Sequence, residues 1–492
     1  MTSLSDKAGL LITANLIKYA VGFMLPMVVV RMLSQSDYGT YQQLILVGEA
    51  TAGLMIFGLP TSVYYFYNNV AAERRPALIA QTSLMLLLSG ALASLAVFGG
   101  ATVIAASLDN PSMAGLLSIY AVSIAFIIAS EHSIAFMIAQ DRYVLAICFE
   151  TGEIIVRVAL LLAPLLFGYG IDGLVAGIVI YSVLRFLLRS MSLFTRGRMQ
   201  FSGWSKHMFP LEQLRYSVPL ALVSLTVLVG NTFNKGFIAA SFSPIDYAIF
   251  AVGNFSIPFA AIFQTSVANV LRATLPRLVQ EEKLAEIVEI LRESARKLSI
   301  IALPLFIFLY GYASEVINLL FTAKYAQSVP IFQIFLLELP LEMLMLSPVP
   351  QAFGRTKLNL YIILSSTALL LLLSFVLIKT FGLQGGALAY IATQYFQSLA
   401  FLVVVLRLTK TTLLDLLPLP TIARVLFAAL IGLLTSRFVP TTSLPALLNL
   451  LLVGVTFGVT FIIVAAVTGV FTRDDRQLIG RWLAKILPDG SL

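Results

Sequence analysis

Runs of twenty or more apolar residues recur along the whole of this chain, and nothing constrains its fold more. Each run is long enough to cross a hydrocarbon core of about 30 Å as a helix. Inside a bilayer every backbone N–H and C=O must be bonded within the protein, which leaves helices and closed barrels. The runs are continuous and do not alternate apolar with polar residues, so they are helices and not barrel strands. Composition agrees: 59% of the 492 residues are hydrophobic and 11% are charged, with a mean hydropathy of +0.94. Soluble domains carry about 25% charged residues. The expected fold is an all-α integral membrane protein of about 14 transmembrane helices. The spans fall near 8–33, 40–67, 77–107, 112–138, 143–167, 171–194, 214–241, 245–273, 297–313, 328–353, 356–380, 384–408, 420–439 and 444–471.

The charges lie mostly in the connections. Alternate loops are basic, with Arg74 and Arg75, Arg142, Arg196 to Lys206, Arg277 to Lys297, Arg355 and Lys357, and Arg407 and Lys410. The positive-inside rule puts these loops, and both termini, in the cytoplasm. The net charge of +8 is therefore a topology signal, and no nucleic-acid partner is implied. The first apolar run is too long and too polar at its start for a cleavable signal peptide. Cys148 is the single cysteine and there are two histidines, so no internal disulfide, metal centre or thiol chemistry is expected. There is no phosphate-binding loop or nucleophile elbow, and no external loop exceeds roughly fifteen residues. An enzyme and a cofactor are not expected; transport driven by a gradient is. Segments 278–298 and 473–487 are amphipathic, set against charged faces, and read as cytoplasmic helices in the membrane interface.

The chain repeats itself. Ser34-x-x-Asp37-Tyr38-Gly39-x-Tyr41 returns as Ser243-x-x-Asp246-Tyr247-Ala248-x-Phe250, 209 residues on. Arg142 and Arg355 stand 213 apart, and Gly173 and Gly385 stand 212 apart. Six spans separate the copies, an even number, so both halves share one orientation and a pseudo-two-fold along the membrane normal relates them. The expected organisation is a six-helix lobe over 1–206, a second over 207–410, two further spans in 411–472 and an amphipathic tail in 473–492. Asp37, Gly39 and Asp246 mark the repeated turn, a structural corner.

Polar residues inside the spans are the candidate site. Asn15, Lys18 and Gly22 form one stripe of the first span. Asn231, Asn234 and Lys235 cluster in the seventh, and Thr265, Asn269 and Arg272 form a stripe in the eighth. An intramembrane cation is costly unless it faces a wet or paired interior. Lys18, Arg31, Lys235 and Arg272 would together attract an anion, most naturally a phosphate. For Arg31 and Arg272 the competing reading is snorkelling at helix ends. Glu49 is the nearest acid to balance Lys18 or Arg31. Glu131-His132 reads either as a proton-responsive pair or as interhelical glue. Glu338 and Glu342 flank Pro340, where freed carbonyls favour a cation or a proton. Glu153 and Arg157, at i and i+4, read as an intrahelical ion pair.

These residues carry a resemblance. Arg31-x-Leu33-Ser34-x-x-Asp37-Tyr38-Gly39-x-Tyr41 and then Phe57-Gly58-Leu59-Pro60 resemble the opening of Wzx-type polysaccharide flippases. Tyr325-Ala326, Gly354-Arg355-Thr356-Lys357 and Gly382-Leu-Gln-Gly385-Gly386-Ala387 fit the same pattern. That family belongs to the multidrug/oligosaccharidyl-lipid/polysaccharide (MOP) exporter superfamily. The resemblance implies alternating access and an undecaprenyl-diphosphate-linked oligosaccharide moved from the cytoplasmic to the periplasmic leaflet. It also implies a cationic cavity matching Lys18, Arg31 and Arg272, with membrane lipids, polysaccharide polymerase and chain-length machinery as partners. Some relatives carry a cation-binding carboxylate in the seventh helix, where this chain has Lys235. The rival readings are a lipid II flippase, a multidrug/cation antiporter of the same superfamily, and a membrane polysaccharide polymerase or ligase. The last would want a large external loop.

Overall fold

The computed structural model describes residues 20–194, 208–255, 258–440, 445–472, 475 and 477. Among them every regular element is a helix. Ten helices are long and apolar enough to cross a membrane, or eleven if a bent pair counts as one span. The protein is thus a multi-pass all-α membrane protein. The expected fourteen is not reached by length and composition, and the shortfall has physical reasons. The first span begins outside the described residues. The fifth carries Glu150, Glu153 and Arg157, too many charges for a simple apolar window.

The chain divides into two compact units. Unit 1, Met1–Val252 with Ile363–Tyr390, contains α1 (Ala20–Met32), α2 (Gln35–Met55), α3 (Leu59–Asn69), α4 (Arg75–Gly99) and α5 (Ala101–Ser107). It continues through α6 (Ala114–Ser130), α7 (Ser133–Ala139), α8 (Tyr143–Leu166), α9 (Gly170–Phe194), α10 (Pro210–Ser241) and α11 (Pro244–Gly253). Small residues let its helix backbones approach, as in membrane bundles generally. A Cβ on Gly90 would sit 2.6 Å from the Ala125 carbonyl oxygen, and one on Gly177 2.1 Å from that of Leu160. At the start of α10, Gln213 is fully buried and bonded to Gln81, Thr82 and Ser62 of α4 and α3. Beyond Pro219 the axis of α10 turns by 49°, because proline removes a ladder bond and crowds the preceding turn.

Unit 2, Gly253–Ile362 with Ile391–Leu492, contains α12 (Pro258–Gln280), α13 (Leu284–Gly311), α14 (Ala313–Phe321), α15 (Val329–Leu336) and α16 (Pro348–Ala352). α17 (Thr356–Phe381) and α18 (Leu383–Thr409) are divided between the units, and α19 (Leu413–Leu416), α20 (Leu419–Ser436) and α21 (Ala446–Val467) follow. Residues 278–298, expected as one separate interfacial helix, instead divide. The first three end α12, a turn follows with Glu282 at φ 55°, and the rest runs without a break into the ninth span as α13. The apolar stripe read from the sequence is real, but it faces protein: Ile287, Leu291, Ala295 and Leu298 are all buried. Val425, Ala428 and Ala429 of α20 and Phe457, Phe461 and Ala465 of α21 pack with Leu303 of α13.

Arg296 ties the base of α13 to the chain after α21. Its guanidinium meets Asp475 at 2.8 and 3.0 Å and Glu293 at 2.7 Å, and it donates to the Val470 carbonyl. Asp475 also accepts from the Thr472 N–H and hydroxyl. Burial alone would raise the Asp475 carboxyl, but the Arg296 guanidinium and the two Thr472 donors outweigh it and hold the group at about 2. Most of the tail segment 473–492 lies outside the described residues.

Candidate functional site

The repeated turn is built the same way twice. Ser34 is the N-cap of α2: its hydroxyl accepts from the Asp37 N–H at 3.0 Å and donates to the Asp37 carboxylate at 2.7 Å. Ser243 and Asp246 repeat both bonds at 3.3 and 2.7 Å. A serine side chain three residues before an acid satisfies orphan donors at a helix start, which is why this spacing recurs. The two turns also meet. A Cβ on Gly39 would stand 1.8 Å from the Pro244 carbonyl oxygen, so the first copy needs glycine where the second holds Ala248. Beneath them Gln43 is buried and donates to the Leu108 carbonyl, and Asn110 donates to Thr40 and Gln43.

The candidate substrate residues are spread over both units. Lys18 lies outside the described residues, as does the side chain of Asn231. Arg31 is exposed near the end of α1, and Lys235 is half-buried on α10. Asn234 differs from its neighbours. It is 4% exposed, donates to the Gly386 carbonyl at 2.9 Å and lies 3.4 Å from the Ser374 hydroxyl. Its amide joins α10 to α17 and α18, and its burial leaves it little access to a ligand. In unit 2, Asn269 and Arg272 are exposed one turn apart on α12, with Arg272 donating to the Asn269 carbonyl at 3.5 Å.

Sequence reasoning missed the strongest charge cluster. Arg189 on α9 is 5% exposed and grips both oxygens of Glu153 on α8 at 2.6 Å, while donating to the Ser130 carbonyl. One turn earlier Arg185 meets Glu131 at 2.6 Å and stands 3.8 Å from Glu153. Two arginines at i and i+4 in an otherwise apolar span were the available signal. The expected Glu153–Arg157 pair is replaced by this one, because Arg157 sits on the exposed side of α8, against Tyr41. His132 is buried, with Nε2 at 2.7 Å from the Ser83 hydroxyl. Glu49 is exposed on α2.

Glu338 and Glu342 lie where the tenth span loses its helix. α15 ends at Leu336, a 3-10 turn covers Leu339–Met343, and α16 starts only at Pro348. Pro340 cannot donate, so carbonyls of the preceding turn are freed. α18 supplies partners: Tyr395 donates to the Leu337 carbonyl and Gln394 to Glu338, both at 3.1 Å. The fourth span breaks as well, between α6 and α7 at Glu131-His132.

A sequence model of the family described as "Polysaccharide biosynthesis protein" matches residues 28–330. The chain belongs to that family. Among curated protein sequences none matches it. Its fold is similar to that of the lipid II flippase MurJ in an inward closed conformation, with a TM-score of 0.65 at 14% identity over 92% of this chain and 99% of that one. It is also similar to an inward-facing multidrug resistance MATE transporter of the MOP superfamily, with a TM-score of 0.62 at 15% identity over 81% and 96%. A MOP superfamily transporter from Pyrococcus furiosus, whose structure is described by the reverse polarity of its binding pocket, gives 0.55 at 14% over 81% and 94%. This polysaccharide biosynthesis protein therefore has the MOP exporter fold that the sequence resemblance implied.

Proposed function

We propose that this protein is a flippase that moves an undecaprenyl-diphosphate-linked oligosaccharide repeat unit from the cytoplasmic to the periplasmic leaflet of a bacterial inner membrane. The observation that carries the reading is the polysaccharide-biosynthesis family match over residues 28–330, borne on a fold shared with a lipid II flippase. Two pseudo-symmetric six-helix lobes, 1–206 and 207–410, would alternate access, with both termini cytoplasmic and the 473–492 tail in the interface. Lys18, Arg31, Lys235 and Arg272 would receive the diphosphate, because guanidinium and ammonium groups match its charge and oxygens. Asn231 and Asn269 would face sugar hydroxyls, while Asn234 would hold α10 in place. Lys18, Arg31, Lys235 and Arg272 favour an anionic headgroup over the cationic drugs of an antiporter.

The test is reconstitution. Purified protein in proteoliposomes is given a fluorescent diphosphate-linked oligosaccharide, and its exposure to an impermeant quencher is followed, with lipid II in a parallel arm. The expected result is flipping of the oligosaccharide lipid, reduced about tenfold in K18Q, K235Q and R272Q by loss of charge-assisted contacts. Full rates in all three variants would sink the cationic site. Flipping of lipid II alone would move the protein to the rival reading.

A further inference from the structure

The break in the tenth span exposes a polar cavity of about 200 Å³ that lies wholly within unit 2. Glu338 and Glu342 come to it from the broken segment, Gln264 from α12, and Gln394 and Gln397 from α18, with Phe401 giving an apolar edge. No lysine or arginine is among its lining residues. Glu342 Oε2 is enclosed and has no hydrogen-bond partner among the described residues. Glu338 accepts from Gln394.

An enclosed carboxylate oxygen without a donor is costly, and a ligand rich in O–H or N–H donors relieves that cost. The carboxamides of Gln264, Gln394 and Gln397 offer donors and acceptors side by side, which suits hydroxyl groups that need both. The volume is below the roughly 300–1,000 Å³ of pockets for drug-sized ligands, so it is the size for one ring and not for a chain of them. Two carboxylates on a lining without lysine or arginine repel a negatively charged ring. The feature is confined to the second half of the repeat: 213 residues earlier, Ala125 and Ala129 stand at the positions of Glu338 and Glu342.

We propose that this cavity is a subsite for a single sugar ring of the cargo, neutral or amine-bearing, and that Glu338 and Glu342 select against uronic acids. The proposal rests on the flippase reading above and names which sugars the cargo presents. The competing occupant of such a site is a bare metal cation.

Saturation-transfer NMR on the full-length protein in nanodiscs tests it, with glucose, glucosamine, N-acetylglucosamine and glucuronate as probes. Glucose and the two amino sugars are expected to receive saturation, with glucuronate at least about tenfold weaker, a difference of about 1.4 kcal/mol. In E338Q/E342Q glucuronate is expected to rise to the level of glucose, and E338Q alone serves if the double variant does not fold. Equal signals from glucuronate and glucose in the unaltered protein overturn the proposal. So does an unchanged preference in the variant, or displacement of every sugar by millimolar sodium or calcium. The flipping assay is run on the same preparations. Flipping without sugar preference removes the subsite alone, whereas sugar preference without flipping removes the transport reading alone.

Discussion

At the scale of single residues, the buried Arg189–Glu153 pair separates structural charge from functional charge. Both groups are nearly enclosed, and the guanidinium holds both carboxylate oxygens at 2.6 Å. Removing one partner of such a pair strands the other, at a cost of about 3–5 kcal/mol, while replacing both by apolar groups is often close to neutral. R189A is therefore expected to lower the thermal midpoint of the detergent-solubilised protein strongly, and E153M/R189L to recover most of the loss. A single variant as stable as the parent would mean that Arg185, 3.8 Å from Glu153, takes over the charge. Gly39 gives a sharper contrast. G39A must push a methyl group into the Pro244 carbonyl, at about 1–3 kcal/mol for overpacking. A248G at the equivalent position of the second copy loses roughly 0.5–1 kcal/mol of helix preference. Comparing the two midpoints checks the order, and a more damaging A248G would show that the turns do not meet in this way.

At the scale of elements, what the sequence revealed follows the range of the interaction. Ser34 with Asp37 and Ser243 with Asp246 bond three residues apart, so the corner was readable from spacing alone. Pro340 announced the break of the tenth span for the same reason, since its effect falls on the adjacent turn. The partners of Arg189 and Asn234 lie 36 and 152 residues away, and no local pattern encodes them. Asn234 therefore read as a substrate contact. The stripe at 284–298 correctly marked a buried face, but periodicity cannot say whether lipid or protein covers it, and the protein does. The junction of α13 with the chain after α21 yields a prediction with a definite sign. Asp475 is held at about 2, below its ordinary value near 4, so its contribution is complete above about pH 4 and is lost as pH falls through 2. D475N removes that contribution at every pH. Its thermal midpoint is expected to be lower at pH 6 and to change less than the parent's between pH 4 and pH 2. Parallel curves for the two proteins would refute the linkage.

At the scale of the whole molecule, the two halves keep a common corner and diverge in their charges. At the 209-residue offset Lys18 corresponds to Val227 and Arg31 to Ala240. A transport cycle powered by sodium needs an ion site whose occupancy favours one conformation over another. Sodium is a hard cation, and carboxylates and carbonyls supply the oxygen ligands such ions prefer. Over residues 231–235 of α10 the polar groups are two amides, a hydroxyl and an ammonium: Asn234 donates an N–H to the Gly386 carbonyl, and Lys235 places a positive charge one residue on. An ammonium repels sodium where a carboxylate would hold it. Exchange of external and internal sodium for choline is therefore expected to leave the initial rate of flipping in proteoliposomes within about twofold, a shift of some 0.4 kcal/mol in the barrier. K235D is expected to make the rate respond to sodium where the parent does not. A tenfold fall of the parent rate in choline would place an ion site elsewhere in the molecule. The carboxylates at the broken tenth span would then be the first residues to test, and E338Q/E342Q would distinguish ion coupling from sugar selection: only the former abolishes the sodium response while leaving the discrimination among sugars intact.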